Sequence, residues 1–362
     1  MTVKPRVVVA MSGGVDSSLT AALLVRQGYD VIGATMQIWN SERQDEDERG
    51  CCSLTAVGDA RRVADTLGIP YYVLNFRDMF QKTVVDYFIR EYTAGRTPNP
   101  CVACNRYVKF DGLLQKALAL GAEFVATGHY ARIDFDTDND RYTLRKGIDT
   151  TKDQSYALYN LTQRTLKHFL MPLGGFTKVE TRKMARELGL AVAEKPDSQE
   201  ICFVPNDDYK KFLEEKAPKS MKPGDMVDTA GNIIGRHRGL PLYTVGQRKG
   251  LGLAAGKPLY VVGLDTARNR VIVGSNSEVF SRELIAEDLN FIAFEELSQP
   301  ILALAKIRYG AKEALATITP LPGGQVSVKF NEPQRAITPG QAVVFYDGDV
   351  VLGGGTIRTV LR

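Results

Sequence analysis

Three cysteines in two short stretches are the residues of this chain best suited to covalent chemistry. Cys101 and Cys104 form the C-x-x-C of "NPCVACN", and Cys202 follows much later in "PDSQEICF". The proline-bounded C-x-x-C stretch indicates a loop ahead of a helix, where a thiol gains thiolate character. The residues allow a catalytic pair of Cys104 and Cys202, a zinc site without a clear fourth ligand, or an iron–sulfur cluster with one open iron position. Cys51 and Cys52 are interpreted as incidental.

A second stretch, "VAMSGGVDSS", lies between a short apolar run and a helix-like segment. Ser12, Gly13 and Gly14 allow the backbone to turn sharply and to approach a ligand closely. The amides that follow open a helix, whose N-terminus favours an anion, and Asp16 adds a carboxylate suited to a cation. The spacing matches neither the Walker loop nor the dinucleotide fingerprint. It predicts a phosphate-binding loop, and the alternative is a plain glycine turn capped by Asp16 or Ser17.

Length and composition set the class of protein within which these residues act. The chain has 362 residues, 44% hydrophobic and 24% charged, which predicts a globular protein of two or three domains. We expect no signal peptide, no transmembrane helix and a cytoplasmic location. Five cysteines in such a chain indicate redox, catalytic or metal chemistry more than structural disulfides. A net charge of +4 permits a nucleic-acid partner without requiring one.

Alternating strands and helices over the first 130 or so residues must position the loop. Strands are predicted at 6–10, 29–36, 71–75 and 123–127, and helices at 17–27, 54–67, 78–92 and 110–120. This alternation predicts a doubly wound parallel sheet with helices on both faces, which binds ligands beyond the carboxyl ends of its strands. The phosphate-binding loop, Met36 and the turn Thr127-Gly128-His129 all fall at that edge.

The rest of the chain changes character after Phe203. A hairpin is predicted at 131–146 and helices at 153–160 and 177–188, the last opened by the capping box Thr177-x-x-Glu180. Beyond "KAPKSMKPGDMVD" the segments are short, β-branched and punctuated by glycine, as is typical of small β-barrels. The predicted division is an α/β catalytic domain at 1–205, a central β-rich domain at 206–280 and a C-terminal β-barrel at 281–362.

Six stretches together resemble the tRNA-specific 2-thiouridylases. "SGGVDSS" is similar to the pyrophosphate loop of the ATP pyrophosphatases, an adenine nucleotide alpha hydrolase-like fold that adenylates carbonyl oxygens. "TPNPCVACNRYVKF", "ATGHYAR", "KDQSYAL", "KPDSQEICF" and "YTVGQRKGLG" follow it in the family's order. The resemblance covers essentially the whole chain. Many synthetases share the loop, whereas the joint occurrence of the other five stretches is much more specific.

The resemblance implies a tRNA-uridine 2-sulfurtransferase that acts on the wobble uridine, position 34. ATP, with Mg²⁺, would adenylate the C2 oxygen, so that AMP and pyrophosphate are released. A persulfide on Cys202 would deliver the sulfur, Cys104 would act as nucleophile, and a disulfide between the two would close the cycle. The implied partners are tRNAs for lysine, glutamate and glutamine, and a sulfur donor such as a cysteine desulfurase or a sulfur-relay protein. No membrane is implied.

The resemblance also assigns site residues, each at the matching position of this sequence. Those implied for ATP are Ala10, Met11, Ser12, Gly13, Gly14, Val15, Asp16 and Ser17, with Met36 and Gly128 as backbone contacts to adenosine. Those implied for the target base are Asn99, Pro100 and Cys101. Those implied for other tRNA contacts are His129, Lys152, Asp153, Gln154, Arg308, Tyr309 and Gln341.

One departure from the family concerns Cys101, where many members carry aspartate. Cysteine at this position favours a [4Fe–4S] cluster held by Cys101, Cys104 and Cys202. Such a cluster and a Cys104–Cys202 disulfide cannot coexist in one molecule at one time. Two other functions also explain the phosphate-binding loop. One is a synthetase that adenylates a small metabolite, and the other is a non-catalytic, nucleotide-dependent RNA-binding module. Both leave the cysteines without a role.

Overall fold

The computed structural model describes residues 4–39, 54–196, 201–253 and 256–361. Cys51, Cys52 and residues 197–200 of the "KPDSQEICF" stretch lie outside this described part. The chain divides into two compact units. The first comprises Met1–Val85, Cys101–Phe203 and Asp349–Val351, and the second Asp86–Pro100, Val204–Gly348 and Leu352–Arg362.

The first unit is built on a five-stranded parallel sheet in the order β3-β2-β1-β4-β7. An antiparallel hairpin outside this parallel sheet pairs β5 with β6. Val7, Val8 and Val9 of the central strand are fully buried, as expected for β-branched residues in a sheet that is covered on both faces. The strands are β1 (Arg6–Ala10), β2 (Asp30–Gln37), β3 (Tyr71–Asn75), β4 (Phe124–Ala126), β5 (Ala131–Asp136), β6 (Arg141–Lys146) and β7 (Phe169–Leu170).

The helices up to residue 187 connect these strands, apart from α4, which belongs to the second unit. Two stretches, Gln81–Val85 and Cys104–Gly112, are π-helical, and Ser155–Leu158 is a short 3₁₀ turn. The α-helices are α1 (Val15–Arg26), α2 (Leu54–Leu67), α3 (Arg77–Phe80), α4 (Asp86–Thr93), α5 (Pro100–Ala103), α6 (Leu113–Ala119), α7 (Gln163–Lys167) and α8 (Lys178–Glu187).

The second unit contains α9 (Tyr209–Lys216) and two β structures. A four-stranded sheet has the order β10-β11-β8-β9, and six strands in the order β12-β15-β14-β13-β16-β17 close into a barrel because β12 also pairs with β17. Closure leaves the barrel without an exposed edge. The strands are β8 (Gly224–Val227), β9 (Ile233–His237), β10 (Tyr260–Asp265), β11 (Arg270–Gly274), β12 (Phe280–Phe291), β13 (Ile301–Lys306), β14 (Ala314–Leu321), β15 (Gln325–Arg335), β16 (Ala342–Asp347) and β17 (Val350–Leu361).

The predicted fold class, a parallel α/β sheet followed by β-rich structure that ends in a barrel, is confirmed. Strands 6–10 and 71–75 and the hairpin at 131–146 match the observed elements closely. The domain boundaries at 205/206 and 280/281 remain a prediction. Within the described ranges, no helix combines the length and the apolar character that crossing a membrane requires.

One local prediction was wrong, because the C-x-x-C stretch is helical and not a loop. Cys101 lies in α5, and Cys104 begins the π-helical stretch that leads into α6. The physical reason is Pro100, the first residue of α5, since proline at a first helical position has a φ angle already suited to the helix and no amide to satisfy. The same proline that indicated a loop therefore starts a helix.

The Gly13 turn gives a direct test of the loop's packing. Gly13 has a φ of +71°, and a Cβ atom there would lie 2.2 Å from the carbonyl oxygen of Ala56 in α2. We expect Gly13→Ala to lower the free energy of unfolding by about 2–4 kcal/mol, from the left-handed backbone and the overlap together. Gly58→Ala in α2 is the matched control: its Cβ meets no atom of the described residues within 4 Å, so it is expected to stabilise by up to about 1 kcal/mol. Urea unfolding of both variants measures this, and equal stabilities would contradict it.

Candidate functional site

The loop between β1 and α1 is braced by hydroxyl groups. The amide of Ser12 donates to Ser17 Oγ at 3.1 Å, and that hydroxyl lies 3.2 Å from the Gly14 carbonyl oxygen, to which it donates. Thr35 in β2 donates to the Met11 carbonyl oxygen at 2.6 Å. Gly14 precedes α1 and has no side chain that could cap it. The first amides of α1 are therefore available to an anion, as phosphate binding requires.

Asp16 is held by two residues that sequence reasoning missed. Lys178 Nζ lies 2.8 Å from each of its carboxylate oxygens, and Tyr130 donates its hydroxyl to Oδ1 at 2.8 Å. Lys178 is the first residue of α8, and it is buried except for 9% of its surface. The predicted capping box of Thr177 and Glu180 is present and fixes this first turn. That motif was the available signal for Lys178, because it sets where α8 begins.

A second lysine reaches the loop from the stretch that leads to Cys202. Lys195 Nζ donates to the carbonyl oxygen of Gly13 at 3.1 Å and to Asp59 Oδ2 at 2.6 Å. Arg62 also donates to Asp59. Burial works to raise the pKa of the Asp59 carboxyl, but the hydrogen bonds from Lys195 and Arg62 outweigh it and hold that pKa below its usual value. Lys195 lies in the "KPDSQEICF" stretch, but the sequence did not indicate its contact with the loop.

The residues predicted for adenosine lie at the same edge of the sheet as the loop. Gly128 packs directly on it, since a Cβ there would lie 2.9 Å from both the carbonyl carbon of Asp16 and the amide nitrogen of Ser17. In β2, Ala34 pairs with Ala10, the last residue of β1, and Met36 lies two residues beyond Ala34. The structure therefore brings the loop, Met36 and Gly128 together as predicted, while their contacts to a nucleotide remain a prediction.

His129, the next residue after Gly128, is in its neutral form. Its Nδ1 lies 2.9 Å from Thr127 Oγ1, and its ring centroid is 5.7 Å from that of Phe110. Burial is the main cause that lowers the pKa of His129, to about 3, and the charge of Lys109 acts in the same direction. At neutral pH this imidazole therefore has ring nitrogens for hydrogen bonding and a ring face, but no positive charge to attract phosphate.

The three cysteines differ in exposure. Cys104 is buried, with 6% of its surface exposed, whereas Cys101 and Cys202 are exposed. In the described part of the chain, no three His, Cys, Asp or Glu side chains form a group that could hold a metal ion. The residues therefore do not fit the predicted cluster in this conformation.

An aromatic cluster anchors the chain beside Cys202. Phe203 is buried, and its ring centroid lies 5.6 Å from that of Phe80 and 6.2 Å from that of Trp39. The neighbouring Cys202 side chain is exposed. The chain is therefore anchored directly next to an accessible thiol.

The stretch Lys152-Asp153-Gln154, predicted to contact tRNA, also has a structural role. The side-chain oxygen Oε1 of Gln154 accepts from the backbone amide of Tyr130 at 3.0 Å. The backbone amide of Gln154 donates to the Tyr130 carbonyl oxygen, also at 3.0 Å. Asp153 Oδ1 accepts from the amide of Gly147 at 3.1 Å. These bonds fix the strand that follows His129, while Lys152 is half-buried.

In the second unit, Gln341 holds the residues that precede the predicted base-binding stretch. Its Nε2 donates to the carbonyl oxygens of Thr97 at 2.9 Å and Pro98 at 3.2 Å. Asn99 and Pro100 follow directly, so their backbone position depends on this amide. The structure thus gives Gln341 a positioning role in addition to its predicted tRNA contact.

Arg308 and Tyr309 lie next to each other after β13. Arg308 donates to the carbonyl oxygen of Arg335 at 3.0 Å, and Lys306 Nζ lies 5.7 Å from the centre of the Tyr309 ring. Half of the Tyr309 surface is exposed. An arginine and an exposed ring are residue types suited to phosphate contact and base stacking, and the tRNA contacts of both residues remain a prediction.

The fold and the loop define the first unit as a nucleotide-binding α/β domain of the pyrophosphate-loop class. The family models that match are described as the tRNA methyl transferase HUP domain over residues 5–206, the tRNA methyl transferase PRC-barrel domain over 210–275 and the aminomethyltransferase beta-barrel domain over 281–357.

Full-length relatives identify the family. The chain is 61% identical to the tRNA-specific 2-thiouridylase MnmA of Acetivibrio thermocellus, over 98% of this chain and 99% of that protein. It is 62% identical to the protein of the same name from Heliobacterium modesticaldum, over 98% and 92%. A 4-thiouridine synthetase in complex with RNA and ATP shares 17% identity over 59% of this chain and 51% of that chain, with a TM-score of 0.34. The chain belongs to the family of tRNA-specific 2-thiouridylases.

The neutral state of His129 predicts a pH-dependent stability. The pKa of His129 is about 3 in the folded chain and has its usual value of about 6.5 in the unfolded chain. At pH values between these two, the unfolded chain binds a proton at His129 and the folded chain does not. The stabilisation is complete above about pH 6.5 and is lost as the pH falls toward 3, by up to about 1.4 kcal/mol per pH unit. His129→Gln should remove this component from urea unfolding measured between about pH 7 and pH 4.5. Parallel pH profiles for the variant and the unaltered protein would contradict the assignment.

Proposed function

We propose that this chain replaces the C2 oxygen of uridine 34 in tRNA with sulfur, at the expense of ATP. The observation that carries the proposal is that one compact unit holds both an anion-binding loop at the carboxyl end of β1 and the thiols of Cys104 and Cys202. Membership of the 2-thiouridylase family supports it. An unactivated uracil carbonyl does not exchange oxygen for sulfur readily, so phosphate chemistry and thiol chemistry are both needed.

The loop fits ATP because glycine occupies the points of closest backbone approach. Gly13 and Gly14 keep the entrance to α1 clear, and Gly128 packs against the same turn. In the proposed first step, the C2 oxygen attacks the α-phosphorus of ATP. The bond from oxygen to phosphorus forms, the bond between the α-phosphorus and the bridging oxygen breaks, and pyrophosphate leaves. The loop amides and the ammonium groups of Lys178 and Lys195 stabilise the charge of the departing pyrophosphate.

Asp16 is the acidic residue of the loop and the proposed site for Mg²⁺, which would neutralise phosphate charge when bound. Lys178 contacts both oxygens of this carboxylate, so the cation must share Asp16 with the lysine or displace it. Mg²⁺ keeps several waters and takes phosphate oxygens as ligands, so a single carboxylate at the loop is compatible with its binding.

In the second step, the thiols complete the exchange. The outer sulfur of a persulfide on Cys202 attacks C2, a carbon–sulfur bond forms, and the bond from C2 to the oxygen of AMP breaks. The thiolate of Cys104 then attacks the sulfur of Cys202, which leaves 2-thiouridine and a disulfide between the two cysteines. A reductant must cleave that disulfide before the next cycle. The exposure of Cys202 suits loading by a partner, and the burial of Cys104 suits a later step.

The proposal extends to partners. The substrates would be the tRNAs for lysine, glutamate and glutamine, and the persulfide would come from a cysteine desulfurase or a sulfur-relay protein in the cytoplasm. His129, Asn99, Arg308, Tyr309 and Gln341 would contact the tRNA. The test is to incubate the protein with ATP, a donor and a tRNA transcript, and to measure 2-thiouridine by mass spectrometry. An ATP pyrophosphatase activity without any tRNA requirement would favour a small-metabolite synthetase, and RNA binding without turnover would favour a binding module.

Serine substitutions at the cysteines separate the steps. Cys202→Ser should abolish 2-thiouridine while adenylated tRNA still forms, because the loop is intact. Cys104→Ser should also stop turnover, yet Cys202 should still accept sulfur from the donor. Mass spectrometry of the tRNA and of the cysteine peptides measures both. Formation of 2-thiouridine by Cys202→Ser would contradict the proposed carrier.

Cys101→Ser is the matched substitution, since Cys101 shares the C-x-x-C with Cys104 but has no thiol role in the proposed steps. It should retain partial activity in iron-free protein. The assay is performed anaerobically, with and without reconstituted iron and sulfide. Joint loss of iron and activity in all three serine variants would instead establish the cluster mechanism.

Arg308 tests the barrel's contact with RNA. If Arg308 binds a phosphate, Arg308→Ala should weaken the binding of all substrate tRNAs alike. It should also reduce the slope of log affinity against log salt concentration by about one unit. Arg268→Ala is a control, because Arg268 is an exposed arginine in the same unit. Affinity titrations at several salt concentrations give both slopes. A loss limited to one tRNA with an unchanged slope would indicate base recognition instead.

A further inference from the structure

The turn at residues 149–154 contains the stretch Lys152-Asp153-Gln154, which the sequence predicts to contact tRNA. We propose that this turn is joined to the phosphate-binding loop through Tyr130 and Asp149, so that tRNA and ATP bind cooperatively. The inference rests on the proposed function and adds to it the residues that couple its two substrates. All the contacts that carry it join described residues of the first unit.

The first connection runs from Gln154 through Tyr130 to Asp16. The backbone amide of Tyr130 donates to the side-chain oxygen of Gln154, and the backbone amide of Gln154 donates to the Tyr130 carbonyl oxygen, both at 3.0 Å. One residue of the turn therefore bonds both polar backbone groups of the tyrosine. At its other end, Tyr130 donates its hydroxyl to Asp16 Oδ1 at 2.8 Å. A single tyrosine thus connects the turn to the carboxylate of the loop.

Tyr130 is also confined by packing. Only 3% of its surface is exposed, and its side chain belongs to the hydrophobic core of the first unit. The chain after β6 lies against its backbone, since a Cβ on Gly147 would lie 2.8 Å from the Tyr130 carbonyl oxygen. A side chain in a close-packed core has little room to change rotamer. A displacement of the Tyr130 backbone is therefore passed on to its hydroxyl group.

The second connection runs from Asp149 through Lys178 to the same carboxylate. Asp149 Oδ2 accepts from the backbone amide of Lys178 at 2.9 Å, and Lys178 Nζ lies 2.8 Å from each oxygen of Asp16. This amide is the first of α8 and has no acceptor within the helix. The bond from it is the main cause that holds the pKa of Asp149 below its usual value. The carboxylate is therefore charged at neutral pH, which strengthens the bond.

The turn itself is braced between these two connections. Asp149 Oδ1 accepts from the amide of Thr151 at 3.0 Å and from its hydroxyl at 2.6 Å, and the Asp149 carbonyl oxygen accepts from the Lys152 amide at 3.0 Å. Thr151 is exposed, so the turn faces solvent on one side and is attached to the loop on the other. Together the contacts form a closed network of Asp16, Tyr130, Gln154, Asp149 and Lys178.

A ligand at either end of the closed network restrains the same groups. A tRNA held at the turn fixes Gln154 and Asp149, and through them the two residues that contact Asp16. Phosphates in the loop fix Asp16 and Lys178 from the opposite side. The second ligand meets groups that the first has already ordered and loses less conformational entropy, which gives positive cooperativity. By linkage, each ligand raises the affinity of the other by the same factor.

The test measures this factor in the absence of turnover. The probe is α,β-methylene ATP, which cannot be cleaved at the bond that adenylation breaks. Its affinity is measured by equilibrium dialysis with and without a saturating glutamate tRNA transcript. In the unaltered protein we expect the tRNA to tighten binding of the analogue by at least about fivefold, the lower range of coupling between two sites. The converse titration of tRNA should give the same factor.

Two substitutions open the closed network at different points. Tyr130→Phe removes only the hydroxyl and keeps the ring in the core, and Asp149→Ala removes the acceptor for the Lys178 amide. Each should reduce the factor, and the double variant should bring it below about twofold. Tyr142→Phe, which keeps the ring that contacts Phe135, and Asp138→Ala, at an exposed position between β5 and β6, are the matched controls. Both should keep the factor of the unaltered protein.

The outcomes separate coupling from a structural role. A merely structural role would weaken binding of the analogue without tRNA and leave the factor unchanged, which overturns the inference. So does the absence of coupling in the unaltered protein. If circular dichroism shows that the double variant is unfolded, the single variants decide, and an unchanged factor in both overturns the inference.

The proposed reaction stands or falls on a separate measurement. Formation of 2-thiouridine by a protein in which tRNA and the analogue bind independently overturns the coupling alone. A normal factor in a protein that makes no 2-thiouridine supports the coupling and counts against the proposed reaction.

Discussion

The left-handed turn at Gly13 is the constraint on which the rest of the first unit depends. Its backbone adopts a φ that favours glycine, and its α-carbon lies so close to the Ala56 carbonyl that a Cβ has no room. Because the turn is this tight, β1 passes directly into α1 with the helix amides facing outward. The sheet places this helix end at its carboxyl edge, where β2 and the Gly128 turn also arrive. A bulkier turn would lose both the amides and the packing on α2.

The cations beside the loop already hold carboxylate partners in the nucleotide-free structure. Lys178 pairs with Asp16, and Asp59 pairs with both Lys195 and Arg62, so the backbone dipoles of the loop add to the attraction of these cations for phosphate. This arrangement has a chemical use. Lysines that are already paired can exchange partners as pyrophosphate forms and leaves, whereas permanently unpaired cations would hold the product in the site.

Several residues predicted to contact tRNA also hold the neighbouring backbone in place. Gln154 fixes the strand after His129, and Gln341 fixes the chain before Asn99. Each lies in a different unit, so each unit positions its own residues that are predicted to contact tRNA. A loss of activity on substitution of either glutamine therefore combines lost contacts with a displaced neighbour, unlike a loss at the exposed ring of Tyr309.

The sequence by itself determined the parallel sheet, the phosphate-binding loop and the barrel, because strand and helix periodicity and glycine spacing are local properties. It also singled out Cys104 and Cys202. It misplaced the C-x-x-C stretch in a loop, since a proline that bounds a loop equally starts a helix. Only the tertiary structure decided which cations serve the loop. Lys178 and Lys195 are two among 46 lysines and arginines, and both follow the loop by more than 150 residues in sequence. They reach it because α8 and the turn at 192–195 pack against α1 and α2, a long-range arrangement that no local pattern encodes.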